Sequence, residues 1–476
     1  MRTPLICIMM ASVLITGACK KSEFLNVKPD ESLVLPSSLA DYQALLDESN
    51  YMNGSGNGNV PSLGEAAAGD MFVIASNIFV TDMAKPYNKA TYTWQDELYQ
   101  DKIEFPNDWG FCYKTVFISN VVLEGLAAIQ PRDHETAAYN NIKGSALFFR
   151  AHIFYQLAQV FAPHYDAATA SSDPGVVLKS KGDISEPIAR STVQQTYDRI
   201  IADLKEALPL LPDAPQYTSR PGKPAVHALL ARIYQTMQDY QNALLHAEAC
   251  LQMKSDLLDF NPPNIPNPNA NFPMPSPLVN PEIIFQSNLI RPSMNLLARY
   301  NARVDSNLVA SYHPDDIRRT AFFRDAIQFN RQGDRGYYFR GSYFKAETLF
   351  AGLATDEVYL IRAECNARLG NVQAAMNDVN KLLKNRWKNT ATYTDLTAAD
   401  SNEALQIVLR ERRKELLLRG LRWTDLRRLN KEGANITLTR IALGQTYTLA
   451  PNSPHYTFLI PDDVMLFNPG LQQNPR

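Results

Sequence analysis

Apolar residues spaced three and four apart recur along most of this chain, and this spacing constrains its fold more than any other feature. It places apolar side chains on one face of a helix. Pro residues mark the turns between the helical segments, and strand-like alternation is scarce. We therefore predict a mainly α fold with little β structure, in which helices cover residues 39–46, 117–129, 137–160, 192–208, 225–237, 356–369, 373–384 and 402–418.

Two of these regions share an internal plan of small and aromatic residues. The positions are Ala231, Tyr234, Tyr240, Ala243 and Ala247 in one region, and Ala363, Gly370, Ala375 and Val379 in the other. Small residues where the two helices of a hairpin cross are typical of tetratricopeptide repeats. Such hairpins bury their faces by stacking, so a scaffold of tetratricopeptide-like helical hairpins is predicted.

Composition divides the chain into five parts. Residues 261–281 hold eight Pro and six Asn, which cannot form a helix or a central strand, and residues 291–345 are rich in Tyr and Arg. The Gly- and Asn-rich residues 50–70 are expected to form a long flexible loop. The predicted parts are a signal peptide (1–18), a lipidated start with a polar leader and a variable loop region (19–110), helical repeats (111–260), an excursion (261–355), and C-terminal helical repeats with an irregular tail (356–476).

The first residues are typical of a secretion signal. Arg2 precedes an apolar run from Leu5 to Thr16, which is too short to cross the ~30 Å hydrocarbon layer. The small residues before Cys19 are similar to the lipobox of bacterial lipoproteins, so Cys19 is the predicted lipid attachment site. A lipobox usually has Leu, Val or Ile where this chain has Thr16, so plain secretion with cleavage after Ala18 stays the alternative. Contact with a membrane is expected through the lipid anchor only.

The net charge and the positions of the His, Cys and Gly residues argue against several functions. The formal charge of -2, with no sustained run of Lys or Arg, argues against nucleic acid as a partner. The seven His are scattered and no HExxH or CxxC occurs, so no metal site is predicted. The Gly residues near position 55 follow no strand, so no dinucleotide cofactor is expected. Cys250 and Cys365 fall in helical patterns and are interpreted as small buried apolar residues.

Several motifs in a fixed order resemble one family. They are Cys19 with Phe24 to Pro29, Trp109 with Asn120, Ala146 to Ala151, His313 to Arg319, Asp356 to Glu364, Glu411 to Leu416 with Gly420 to Arg428, and Asn468 to Leu471. On these motifs the chain is identified as a member of the SusD/RagB family, the surface lipoproteins that capture nutrients for a TonB-dependent outer-membrane transporter. The charged residues in the C-terminal motifs, among them Arg362, Glu364, Arg412 and Asp425, are expected to form structural ion pairs.

The resemblance implies four tetratricopeptide-like hairpins that support a variable, loop-rich part. It implies a non-catalytic protein in the outer membrane, facing the cell exterior, whose scaffold contacts a SusC-like transporter. It also implies that aromatic residues of the variable part form a shallow platform for a glycan. The sequence does not identify the ligand, since the family includes members that take up peptides or glycoproteins.

No family motif fixes the platform, so its candidates come from the chemistry of sugars. A sugar ring needs a flat aromatic surface with polar groups around it. One candidate group is Trp94 with Tyr92 and Asp96, and the other candidates are Tyr300, Asn301, Tyr337 and Tyr338.

Two other functions stay open from the sequence. A glycoside hydrolase needs only two carboxylates, and Asp and Glu are plentiful. A pure scaffold would bind only protein through its repeats, although the long aromatic excursion argues against this.

Overall fold

The computed structural model describes residues 36–73, 86–99, 107–183, 185, 188–291, 296–329, 335–442 and 444–476. Its helices are α1 (Leu39–Leu46), α2 (Ser49–Met52), α3 (Leu63–Ala67), α4 (Pro86–Thr93), α5 (Asp108–Ala127), α6 (Thr136–Phe161), α7 (Val193–Ala207), α8 (Lys223–Thr236), α9 (Tyr240–Met253), α10 (Ser306–Ala310), α11 (Arg318–Phe322), α12 (Thr355–Arg368), α13 (Val372–Lys384), α14 (Ser401–Glu415), α15 (Arg422–Lys431) and α16 (Asp462–Phe467). The strands are β1 (Met71–Val73), β2 (Pro174–Val177), β3 (Arg190–Thr192), β4 (Ile283–Phe285), β5 (Ala302–Val304), β6 (Phe323–Asp325), β7 (Tyr337–Phe339), β8 (Leu353–Ala354), β9 (Leu438–Ala442) and β10 (Gln445–Leu449).

The mainly α fold is confirmed, and local signals account for where the helices begin. α1 covers the predicted residues because Ser38 and Asp41 form a reciprocal capping box. α5 begins nine residues before its predicted start, since Asn107 accepts the N–H of Gly110 and caps the helix there. None of the helices within the described ranges is long and apolar enough to cross a bilayer.

Helical hairpins form the scaffold. α8 packs on α9, α9 on α12, and α12 on α13, so the two regions with the shared plan lie in consecutive hairpins. Gly370 of that plan is exposed in the turn between α12 and α13, but the alanines are fully buried where the helices meet, as expected for close helix packing. They are Ala231, Ala243, Ala247, Ala363 and Ala375.

The prediction of a flexible loop over residues 50–70 is wrong. The segment contains α2 and α3, and Asn59 within it is fully buried. Ser287 donates a hydrogen bond to Oδ1 of Asn59 at 2.6 Å, which ties the segment to the excursion. A Cβ on Gly58 would lie 2.2 Å from the carbonyl oxygen of Leu289. Glycine is therefore needed here for close backbone approach.

The excursion between α9 and α12 has a hydrophobic core of its own. β4 pairs with β8, which brings the end of the Pro- and Asn-rich segment beside the start of α12. β1 pairs with β5 and attaches the N-terminal region to the excursion. Side chains of this second core include Phe260, Tyr312, Phe322, Tyr343 and Phe350.

The charged residues of the C-terminal motifs form structural ion pairs, as expected. Arg412 pairs with Asp425 at 2.9 Å, and Glu364 pairs with Arg428 at 2.5 Å. Arg362, however, pairs with Asp378 on the adjacent helix α13. Residues two apart on a helix point to different faces, so Arg362 and Glu364 face different partners.

Glu65 on α3 is an acidic side chain that is 2% exposed, and within the described ranges neither of its carboxylate oxygens has a side-chain hydrogen-bond donor. Burial, with the nearby charge of Asp70 adding to it, raises the pKa of Glu65 to about 8 from an ordinary value of 4.5. Because folding raises this pKa, protonated Glu65 contributes fully to the stability of the folded state below pH 4.5. This contribution is lost as the pH rises through 8.

We therefore expect Glu65→Gln, which imitates the neutral acid, to gain stability relative to the native protein as the pH rises from 5 to 9. The gain approaches about 1.4 kcal/mol per pH unit between the ordinary pKa of 4.5 and the folded-state pKa of about 8, and it levels off at higher pH. Thermal melting at pH 5, 7 and 9 measures it, with Glu206→Gln on the surface as the control. A stability difference that does not change with pH would contradict the burial argument.

Candidate functional site

The first candidate group, around Trp94, lies in the protein core. Trp94 is 8% exposed and its indole N–H donates to the carbonyl oxygen of Ala67 at 3.1 Å, while Tyr92 is 2% exposed. The Arg440 guanidinium lies 4.0 Å from the ring centre of Tyr92 and 4.9 Å from that of Trp94. Tyr92 and Trp94 therefore do not form an exposed platform, because Arg440, which is distant only in sequence, and the surrounding core cover both rings.

Asp96 is exposed but lies in a different environment from a sugar platform. Its carboxylate is 2.7 Å from Nε2 of His455, in the irregular tail. With Trp94 buried, no aromatic face of the first group is left for Asp96 to flank. The structure therefore assigns Asp96 to a surface contact between the N-terminal region and the tail.

The second candidate group divides by exposure. Asn301 is 2% exposed and Tyr338 is fully buried, so neither can present its side chain on a platform. Tyr300 and Tyr337 are 37% and 38% exposed. Tyr337 and Tyr338 differ in exposure because they are neighbours on β7, and neighbouring strand residues point to opposite faces. Tyr300 and Tyr337 are the sequence candidates that the structure leaves accessible as aromatic surfaces.

Tyr300 lines a small open cleft of about 130 Å³ in the excursion. The Pro- and Asn-rich segment contributes Phe272, the turn before β5 contributes Arg299, and the loop before β8 contributes Glu347. The Arg299 guanidinium lies 5.3 Å from the ring centre of Phe272, and its Nη2 is 2.7 Å from the Glu347 carboxylate. We call this group of residues the excursion cleft.

Arg340 positions the wall of the excursion cleft. Its guanidinium donates hydrogen bonds to the carbonyl oxygens of Asn269 at 2.7 Å, Pro268 at 2.9 Å and Thr320 at 2.6 Å. A segment rich in Pro lacks N–H donors and cannot form regular ladders. Hydrogen bonds from one buried arginine to the carbonyl oxygens of Pro268 and Asn269 hold this segment instead, and Phe272 of the segment lines the same cleft as Tyr300.

The cleft combines aromatic rings with charged hydrogen-bonding groups, which is the chemistry that saccharide recognition requires. Sequence reasoning singled out the Tyr- and Arg-rich stretch but missed Phe272 and Glu347. Phe272 is the single aromatic residue of the Pro- and Asn-rich sequence 261–281. An aromatic residue alone in such a segment is the signal that could have identified it.

A second, larger groove of about 560 Å³ lies on the helical scaffold. Trp109, Tyr113 and Phe117 of α5 line it, with Lys114 at the rim and Val464 of α16 on the far side. Near this groove α16 exposes Leu466 and Phe467, which are 75% and 80% accessible. We call Leu466 and Phe467 the apolar tip.

In the described part of the chain, no group of three or more His, Cys, Asp and Glu side chains is arranged to hold a metal ion. Cys112, Cys250 and Cys365 are free and buried, which confirms the interpretation of Cys250 and Cys365 as packed apolar residues. Burial raises the pKa of Cys250 to about 12, so its thiol stays protonated.

Comparison with known proteins finds two family matches that lie in order along the chain. A family described as "Starch-binding associating with outer membrane" matches residues 23–235, and the SusD family matches residues 355–476. A SusD-like protein of Formosa agariphila is 28% identical over 142 residues, which cover 29% of this chain and 26% of that protein. The matched part thus spans about a quarter of that relative.

Solved structures share the fold over nearly the whole chain. A SusD superfamily protein of Bacteroides thetaiotaomicron is 20% identical, with a TM-score of 0.73 over 92% of this chain and all of that one. A laminarin-binding SusD-like protein is 17% identical, with a TM-score of 0.64 over 92% of this chain and 98% of that one.

For the core position of Trp94 we expect Trp94→Ala to lower the free energy of unfolding by about 3 to 5 kcal/mol, as for other buried large-to-small changes. Denaturant titration measures the loss. Tyr337→Ala, which removes an exposed ring, is the matched control and should leave stability nearly unchanged. A fully stable Trp94→Ala protein would contradict the core assignment.

Proposed function

The chain belongs to the SusD family, and we propose on this basis that it binds glycan at the excursion cleft and delivers it to a TonB-dependent, SusC-like transporter. The observation that carries the proposal is that the accessible ring of Tyr300 lines one cleft together with Phe272 and the Arg299–Glu347 ion pair. The outer-membrane description of the first family match and the laminarin-binding structural neighbour support it.

The proposed location is the outer membrane, on the outer face of the cell, with a lipid anchor at Cys19. Cys19 and the leader lie outside the described residues, so the anchor stays a prediction from the sequence. An anchored binding protein keeps its ligand near a transporter and raises the local concentration of ligand there.

Binding without hydrolysis fits the cleft better than catalysis. Glycoside hydrolysis uses two carboxylic acids on either side of the bond that breaks. Among the described residues that line the cleft, Glu347 is the acidic one, and it is already paired with Arg299. Sustained release of sugar from polysaccharide by the purified protein would favour the hydrolase alternative.

The apolar tip is the surface that we propose for contact with the transporter. Leu466 and Phe467 are large apolar side chains that the isolated chain leaves in water, and they adjoin the aromatic groove of α5. Exposed apolar side chains next to an apolar groove are a common feature of protein interfaces. This contact would also place the scaffold, and not the excursion, against the membrane protein.

We expect Tyr300→Ala to weaken glycan binding about tenfold, because it removes an aromatic face worth about 1.5 kcal/mol with its buried area. Calorimetric titration with the glycan that binds best in an array screen measures the change. Tyr217→Ala, which removes a similarly exposed ring outside the cleft, is the control. Unchanged affinity in folded Tyr300→Ala would remove this cleft from the proposal.

We expect the double variant Leu466→Ala with Phe467→Ala to recover less transporter in affinity purification from native membranes. Both side chains are exposed, so the melting temperature should stay within a few degrees of the native value. Ile327→Ala, which removes an equally exposed apolar side chain of the excursion, should recover as much transporter as the native protein. Equal recovery by the double variant would show that the apolar tip is not the contact.

A further inference from the structure

The excursion cleft carries an excess of positive charge. Arg291, Arg299 and Arg340 line it, and the acidic residue among its described lining residues is Glu347. Arg299 and Glu347 form an ion pair at 2.7 Å and balance each other. Among the described residues, neither Arg291 nor Arg340 forms an ion pair with a carboxylate, so the positive charge of both remains in the cleft.

Arg340 is a buried cation, and its partners among the described residues are backbone dipoles. It is 3% exposed, and its hydrogen bonds go to backbone carbonyl oxygens of the excursion. Its Nε–H is buried and has no hydrogen-bond partner in the described part of the chain. Burial, with the nearby Arg324 cation adding to it, lowers the pKa of Arg340. A buried charge without a counter-ion is costly, and an anion in the cleft would offset that cost.

Arg291 places a second cation at the mouth of the same cleft. Its side chain is exposed, while its backbone N–H donates to the carbonyl oxygen of Asn57 at 2.8 Å and fixes where the side chain starts. A guanidinium offers paired N–H donors that match the two oxygens of a carboxylate or a sulfate. Arg291 can therefore bind an anionic group that enters the cleft from solvent.

We propose that the excursion cleft selects acidic glycans. A carboxylate or sulfate group of the sugar would bind Arg291 and be attracted by the positive charge of Arg340, while a face of the sugar ring packs on Tyr300. This inference rests on the proposed glycan-binding function and names its substrate class. A neutral sugar would contact the same aromatic ring but would bring no negative charge to Arg291 and Arg340, which pair with no carboxylate in the described ranges.

The test uses matched glycans that differ only in charge. Oligogalacturonides are compared with their methyl esters, and sulfated galactan oligosaccharides with their desulfated forms, by calorimetry at 50 mM and 500 mM NaCl. We expect the acidic member of at least one pair to bind at least tenfold more tightly than its neutral form, and the difference to shrink at high salt because salt screens the charges. The pair that shows the difference tells a carboxylate ligand from a sulfate ligand.

A variant pair assigns the effect to the cleft. Arg291→Gln should weaken binding of the acidic glycan about fivefold and change binding of a neutral glycan less than twofold. Arg410→Gln, which removes an exposed arginine from α14, should change neither. Arg291 is exposed and forms no ion pair with a described residue, so we expect its substitution to leave folding intact.

The possible results separate the two proposals. Equal binding of charged and neutral members, or binding of neutral members alone, would overturn the selection of acidic glycans and leave glycan binding in place. Binding of no member, and of no neutral glucan such as laminarin oligosaccharides, would overturn glycan binding at this cleft and with it the inference on charge. An equal effect of Arg291→Gln and Arg410→Gln would place the charge selection elsewhere on the surface.

Discussion

A buried network of arginines and carboxylates joins the excursion to the C-terminal helices, and the rest of the structure depends on it. Arg318 of the excursion and Arg386, which follows α13, both bind Glu415 of α14 at 2.8 Å. Arg386 also binds Glu282 at 2.6 Å, and Arg318 binds Glu411 at 2.8 Å. All five side chains are at most 5% exposed. Removing one partner from such a network leaves an unpaired buried charge and costs about 3 to 5 kcal/mol, so the network holds the excursion in one position on the repeats.

Two of the carboxylates in this network, Glu415 and Glu282, have pKa values shifted in opposite directions because they have different numbers of cationic neighbours. Burial alone would raise the pKa of Glu415, but Arg386 and Arg318 together lower it. Glu282 meets one guanidinium and lies near other carboxylates, so burial prevails and raises its pKa to about 7. The same reasoning distinguishes Arg340 in the cleft from these arginines. Arg318 and Arg386 are compensated by carboxylates within the protein, whereas carbonyl dipoles are the partners of Arg340 among the described residues.

Helices could be predicted from the sequence because their signals are local. The apolar spacing and the Ser38 capping box lie within a few residues of the helix that they determine, and α1 has the predicted ends. The candidate site depends on contacts between distant parts of the chain. Tyr92 and Trp94 look like platform residues until Arg440, which lies 348 residues after Tyr92, donates to the backbone beside them and covers both rings. Local composition identifies aromatic residues but does not determine which of them a distant element will bury.

The packing of the excursion explains why a ligand site can form on a segment that lacks regular structure. Its Pro residues cannot complete backbone ladders, so their carbonyl oxygens need donors from elsewhere, and Arg340 supplies them from the end of β7. A side chain used in this way carries a full charge into the wall of the cleft. The structural requirement for a donor and the presence of a cation beside Tyr300 therefore have one origin. In a related chain with a different excursion sequence, another donor could hold the loop, and the charge of the cleft would change while the helical scaffold stayed the same.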